Sequence, residues 1–122
     1  MRPEQQIHQA ICKFIDLAAP DLFYFHPANE TGRNSIRFGA IRKSMGVKSG
    51  IPDLVFILPR GRIAFIEIKS PKGTLTATQK SFRDLCLDKD WPWGLARSVN
   101  DVETILAGWL TPYGWKLKAR AA

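Results

Sequence analysis

Gly50-Ile51-Pro52-Asp53-Leu54-Val55-Phe56-Ile57-Leu58-Pro59-Arg60-Gly61-Arg62-Ile63-Ala64-Phe65-Ile66-Glu67-Ile68-Lys69 reads as a β-hairpin. Two apolar runs, residues 53–58 and 62–69, flank the turn formers Pro59, Arg60 and Gly61. Both arms are apolar on both faces, which predicts a sheet covered by helices on both sides. The surrounding segments supply those helices. Pro3 suits a first helical position, and Ile7, Ala10, Ile11, Phe14, Ile15 and Ala18 form a helical stripe that Pro20 ends. Residues 22–26 read as a short strand, 27–34 as a loop, and 35–45 as a basic helix stopped by Gly46. After the break at Ser70-Pro71-Lys72-Gly73, residues 76–89 read as a helix whose Thr76 and Gln79 fit a capping box. Residues 93–97 form a last strand, and Ser98 caps a last helix that reaches about Trp109. The expected fold class is mixed α/β, one small central sheet flanked by helices in the order α-β-α-β-β-α-β-α. Residues 1–110 are expected to form a single domain, and residues 111–122 a loose basic tail.

Composition narrows the function classes. A chain of 122 residues is near the common size of one domain and needs neither disulfides nor a structural metal to fold. Its two cysteines, Cys12 and Cys86, exclude a disulfide scaffold and a cysteine-rich zinc site; they read as small buried residues of a reducing compartment. No apolar run approaches the roughly 20 residues of a membrane span. Met1-Arg2-Pro3-Glu4-Gln5-Gln6 lacks the apolar core of a signal peptide, so the expected location is cytoplasmic, without a membrane partner. His8 and His26 stand 18 residues apart in different elements, without the spacing of a zinc motif.

The net charge is +7, with a sequence pI near 9.8, and the excess is uneven. Between Glu30 and Asp53 there is no acid, yet Arg33, Arg37, Arg42, Lys43 and Lys48 fall there. The tail carries Lys116, Lys118 and Arg120, again without an acid after Glu103. An acid-free basic stretch is either a solvated surface or an attractor of polyanions through phosphate contacts and counterion release.

Polar residues interrupt the apolar pattern at informative points. Strand alternation puts Phe65, Glu67 and Lys69 on one face and Ile66 and Ile68 on the other. Burying either charge unpaired costs several kcal/mol, so Glu67 and Lys69 must meet each other, a metal or water. Asp53, alone, would read as a turn residue. The hairpin, however, pairs the start of one arm with the end of the other and sets Asp53 beside Glu67, Ile68 or Lys69. Two carboxylates and a lysine at one sheet end make a hard, oxygen-rich site suited to Mg²⁺ or Mn²⁺. Glu4 is either an acid favoured by the helix N-terminus or a polar continuation of the stripe of Ile7 and Ile11. Gln79 is a capping residue, and its helix face also carries Phe82 and Cys86.

Pro52-Asp53 followed by Glu67-Ile68-Lys69 resembles the signature of the PD-(D/E)XK nuclease superfamily. Glu4 before Ile7, Gly46-Val47-Lys48-Ser49-Gly50 before the Pro-Asp, Ser70-Pro71-Lys72-Gly73, Leu75-Thr76-Ala77-Thr78-Gln79 and Ala96-Arg97-Ser98 sharpen the match. Over about residues 4–106 the chain resembles the VRR-NUC family, especially its small stand-alone phage and bacterial members. That resemblance implies a restriction-endonuclease-like core and Mg²⁺- or Mn²⁺-dependent hydrolysis of phosphodiester bonds. It implies Asp53, Glu67 and the Ile68 carbonyl as metal ligands, Lys69 as the catalytic lysine, Glu4 as an additional acid and Gln79 as a supporting residue. Arg33, Arg37, Arg42, Lys43, Lys48 and Lys72 are the expected DNA contacts, and a homodimer acting on branched or nicked duplex DNA, such as a Holliday junction, is the expected assembly. The alternatives are a nucleic-acid-binding protein that does not cleave, on a nuclease-like core, and a metal-free interaction domain; neither has a use for Asp53, Glu67 and Lys69 together. Trp91, Trp93, Trp109, Tyr113 and Trp115 are read either as interface anchors or as packing of the last helix and tail.

Overall fold

The computed structural model describes residues 2–28 and 36–118, with the backbone alone for 36–39. In chain order the elements are α1 (Pro3–Ala18), β1 (Phe23–Phe25), α2 (Ile36–Ser44), β2 (Leu54–Leu58), β3 (Arg62–Ile68), α3 (Ala77–Lys89), β4 (Trp93–Ala96) and α4 (Val99–Leu110). One 3₁₀ turn, Pro59–Gly61, joins β2 to β3, and another, Thr111–Tyr113, follows α4. This is the expected element order, with boundaries that differ by a residue or so. In the hairpin turn Arg60 and Gly61 both take positive φ, 69° and 78°, which reverses the chain between Leu58 and Arg62.

The sheet order is β1-β2-β3-β4. The first three strands run antiparallel, with Phe25 opposite Val55 and Leu54 opposite Ile66. β4 lies parallel to β3, with Glu67 opposite Leu95 and Ile68 opposite Ala96, because α3 carries the chain back along the sheet.

Each face follows from alternation. Leu54, Phe56, Leu58, Ala64, Ile66 and Ile68 point to one side and bury against Ile11, Phe14, Ile15 and Ala18 of α1 and Val102, Leu106 and Leu110 of α4. Gly94 lets β4 approach α4 closely: a Cβ there would lie 2.8 Å from the Ile105 Cδ1. On the other side Val55 and Phe65 meet Cys86 and Phe82 of α3 together with Trp91 and Trp93. α3 covers only part of that face, and Phe23, Phe25 and Ile57 toward the β1 edge stay exposed. The expectation of a sheet covered on both sides thus holds fully for one face and in part for the other.

The aromatic residues mostly pack within the chain. Trp91 and Trp93 belong to the α3 cluster, and Trp109 and Tyr113 pack against the larger core. These four are partly buried by their own chain, and Trp115 keeps 37% exposure. The segment read as a loose tail begins with the Thr111–Tyr113 turn and rejoins the fold. Leu117 packs on the core, and the Lys118 N–H donates to the Ala18 carbonyl at 2.8 Å. Arg120 lies outside the described residues.

Candidate active site

The hairpin register delivers the site. Leu54 opposite Ile66 puts Asp53, one residue before β2, level with Glu67, and its Oδ2 accepts the Ile68 N–H at 2.8 Å. Glu67 shares a face with Phe65 but lies beyond the apolar cluster, and it is 4% exposed. Lys69, the next residue on that face, is 9% exposed. Its backbone N–H donates to the Ala96 carbonyl at 3.0 Å, which extends the β3–β4 pairing past the end of the strand.

Gln79 reaches Glu67 from α3. The Thr76 N–H donates to Gln79 Oε1 at 2.9 Å, and the Gln79 N–H donates to Thr76 Oγ1 at 3.2 Å, completing the expected capping box. With its oxygen engaged at the cap, the Gln79 amide presents Nε2 to Glu67 Oε1 at 3.1 Å. One side chain therefore both caps the helix and donates to Glu67. Gly50 has φ +79°, and a Cβ there would stand 2.3 Å from the Thr78 carbonyl oxygen. Only glycine lets the loop before Asp53 lie this close to the start of α3.

Glu67 is the electrostatic centre of the cluster. Its carboxyl is pushed up to about 9 from the ordinary 4.5, chiefly by burial, then by the Asp53 charge and a hydrogen bond shared with Asp53. Lys69 pulls in the opposite direction, and Glu4 adds a further upward push. Two carboxylates packed so closely cannot both ionise cheaply. A divalent cation removes that conflict, and an all-oxygen, carboxylate-rich donor set fits Mg²⁺ or Mn²⁺.

Glu4, Asp53 and His8 line an open cavity of about 500 Å³, together with Arg2 and Gln5. Glu4 and His8 are four residues apart on α1 and so project from the same face. Asp53, Glu67, Lys69, Gln79 and Glu4 thus gather around one end of the sheet; the hairpin spacing predicts the meeting of the first three, and the family resemblance implies the other two. The expected DNA contacts are more dispersed. Lys43 and Lys48 are exposed and Arg42 is half-buried, in and after α2; Lys72 is exposed on the loop after Lys69. Arg33 and the side chain of Arg37 lie outside the described residues.

Two features escaped the sequence reading. Arg97 Nη1 donates to the carbonyls of Ser70 at 2.6 Å and Gly73 at 2.7 Å, with Pro71 at 3.3 Å, and so pins the loop that leaves Lys69. The Arg97 N–H is itself held by Asp101 Oδ2 at 2.8 Å. His26 also joins the site: its Nδ1 meets the Asp53 carbonyl oxygen at 2.6 Å, and its ring stands edge-on to His8 at 4.7 Å between centroids. Sequence separation hides this pairing; antiparallel alignment of β1 with β2 is the signal that would have exposed it.

The sign of the pH dependence follows from Glu67. Between pH 4.5 and about 9 the unfolded chain has lost this proton and the native protein retains it. Native stability therefore falls as pH rises across that window, with a slope of up to about 1.4 kcal/mol per pH unit from this group. In EDTA, Glu67→Gln is expected to flatten the slope and to raise the urea midpoint at pH 8. Parallel stability curves for the two proteins from pH 5 to pH 8 would contradict the protonated state.

Comparison with known proteins agrees with this fold. The profile of the VRR-NUC domain matches residues 29–100, more than half of the chain. A solved structure named "VRR_NUC domain protein" superposes with a TM-score of 0.72 at 20% identity, covering 91% of this chain and 90% of that one. A second, named "VRR_NUC domain", gives 0.58 at 20% identity, covering 87% and 96%. At that identity the likeness is one of fold. No curated protein matches the chain. The carboxylate pair on the β2–β3 hairpin and the four-stranded mixed sheet thus belong to a nuclease-like α/β domain, and the chain is a member of the VRR-NUC domain family.

Proposed function

We propose that the protein is a Mg²⁺- or Mn²⁺-dependent endodeoxyribonuclease. The observation that carries the proposal is the closely packed Asp53–Glu67 pair, whose mutual repulsion helps hold a proton on Glu67 until a cation replaces it. Asp53, Glu67 and the Ile68 carbonyl would hold the ion. When bound, it would lower the pKa of a water and neutralise charge on the scissile phosphate. Lys69 orients that water and offsets the charge that develops in the transition state. Gln79 fixes the rotamer of Glu67, and Glu4 adds negative charge at the mouth of the site. Arg33, Arg37, Arg42, Lys43, Lys48 and Lys72 hold the phosphate backbone, which positions the duplex without reading its sequence. A protein that only binds DNA would have no need to pack two carboxylates together beside a buried lysine.

On this proposal Asp53→Ala, Glu67→Ala and Lys69→Ala each lower cleavage by at least about 100-fold while the protein stays folded and binds DNA. Activity disappears in EDTA and returns with Mg²⁺ or Mn²⁺, whereas Ca²⁺ supports binding with little cleavage because its coordination is looser. Near-normal cleavage by Glu67→Ala, or full activity in excess chelator, would remove the site assignment.

Replacing Arg37, Arg42 and Lys43 together is expected to weaken binding on every DNA sequence. It should also flatten the dependence of log K on log salt by about 0.9 for each phosphate that is no longer neutralised. An unchanged slope in a fluorescence titration would move the DNA path elsewhere, with Lys116 and Lys118 next to be tested.

One site per chain suits a homodimer on four-way or otherwise branched DNA, because two symmetric cuts need two sites related by the substrate's own two-fold axis. Light scattering is expected to give a dimer free or on DNA, and junctions are expected to be cut faster than linear duplex. A monomer in both conditions would exclude the dimer. Equal rates on junction and duplex would exclude the substrate preference and leave the nuclease standing.

A further inference from the structure

We infer that His8, His26 and Asp53 form a second cation site, one that takes a borderline transition-metal ion of the Zn²⁺ class in preference to Mg²⁺. The three side chains each offer a ligand atom, and these atoms lie within 4.8 Å of one another. Donors bound at 2.0–2.2 Å to a tetrahedral ion stand about 3.3 Å apart, a spacing that the three side chains, all at least partly exposed, reach by side-chain rotation. The cavity of about 500 Å³ that His8 and Asp53 line gives the ion a path in from solvent and leaves room for water in the remaining coordination positions.

The hydrogen bond from His26 to Asp53 is the second, independent observation. A backbone carbonyl can only accept, so at 2.6 Å from the Asp53 oxygen His26 Nδ1 carries the proton. In the neutral ring this leaves the lone pair on Nε2. Metal-binding histidines are held in the same way: one ring nitrogen donates to a carbonyl or carboxylate, and the other is turned to the ion. Two imidazoles and one carboxylate are a mixed nitrogen and oxygen set. Such a set suits Zn²⁺ or Co²⁺, whereas the oxygen-only set at Glu67 suits Mg²⁺ or Mn²⁺. Asp53 belongs to both sets, so the two ions would be neighbours joined through one residue. The histidine site stands on its own geometry and does not require that the protein cleave DNA.

The test uses the full chain in excess Mg²⁺, with Co²⁺ followed by visible absorption and Zn²⁺ by X-ray absorption at the zinc edge. One equivalent of Co²⁺ is expected to bind, to be displaced by Zn²⁺ and not by Mg²⁺. His8→Ala and His26→Ala should each weaken Co²⁺ binding by at least about tenfold, and Glu67→Ala should retain it. The chain contains only two histidines, so two imidazoles in the zinc spectrum of the unmodified protein identify both without relying on any variant's folding. No Co²⁺ binding in excess Mg²⁺, a zinc spectrum without two imidazoles, or loss of binding on Glu67→Ala with retention in both histidine variants would overturn the inference. A protein that shows the two-imidazole spectrum but fails to cleave DNA would uphold the histidine site and refute the nuclease proposal.

Discussion

The antiparallel pairing of β2 with β3, in the register that sets Leu54 against Ile66, is the constraint on which the remaining structure depends. A slip of one residue would turn Glu67 and Phe65 into the α1–α4 core and move Ile66 and Ile68 to the face that carries α3 and the site. The apolar groups of both layers resist that slip, since each residue from Ala64 to Ile68 is almost fully buried. Asp53 adds a polar check at the open end of the hairpin through its bond to the Ile68 N–H. The hydrophobic effect thus sets the relative position of two carboxylates that it would by itself keep apart from any apolar core. α1, α3 and α4 then pack on surfaces that this register has already defined.

Around that hairpin the site is built from backbone constraints more than from side-chain choice. Gly50 brings the loop before Asp53 against the start of α3. The α3 cap turns the Gln79 amide toward Glu67, and Arg97 holds three backbone carbonyls of the loop after Lys69. Each restraint acts on a segment directly flanking an acidic or basic side chain of the cluster. The closely opposed carboxylates therefore sit in a frame pinned on several sides, where burial first and the Asp53 charge second raise the proton affinity of Glu67.

Much of this is legible in the sequence. Alternation in residues 53–69 decides the hairpin, its faces and the meeting of Asp53 with Glu67, because a period of two and a short turn leave few alternatives. Thr76 and Gln79 announce the start of α3 through local chemistry alone. What stays hidden involves elements distant in sequence. His26 meets Asp53 only because β1 joins the far edge of the sheet, and His8 joins them only because α1 crosses the same end. The contacts of Arg97 cannot be read until the path of the β3–α3 loop is known. The aromatic residues near the C-terminus are ambiguous for a related reason. Hydrophobicity tells that Trp109 and Tyr113 will be covered, but how far their own chain covers them depends on how the last turn folds back, a path that the Lys118–Ala18 hydrogen bond fixes.

The double duty of Gln79 narrows what evolution or design can place there. A capping box ordinarily accepts glutamate as readily as glutamine, since only an acceptor oxygen is needed to receive the backbone N–H of the capping residue. Here the other end of the same group must donate, because Glu67 Oε1 is waiting to accept. A glutamate at this position would satisfy the helix and bring a third acid against two that already share a proton. An alanine would leave both ends unserved. The amide offers opposite polarity at its two tips without carrying a charge or needing a proton to be held, and position 79 disfavours the substitution that helix propensity alone would regard as neutral.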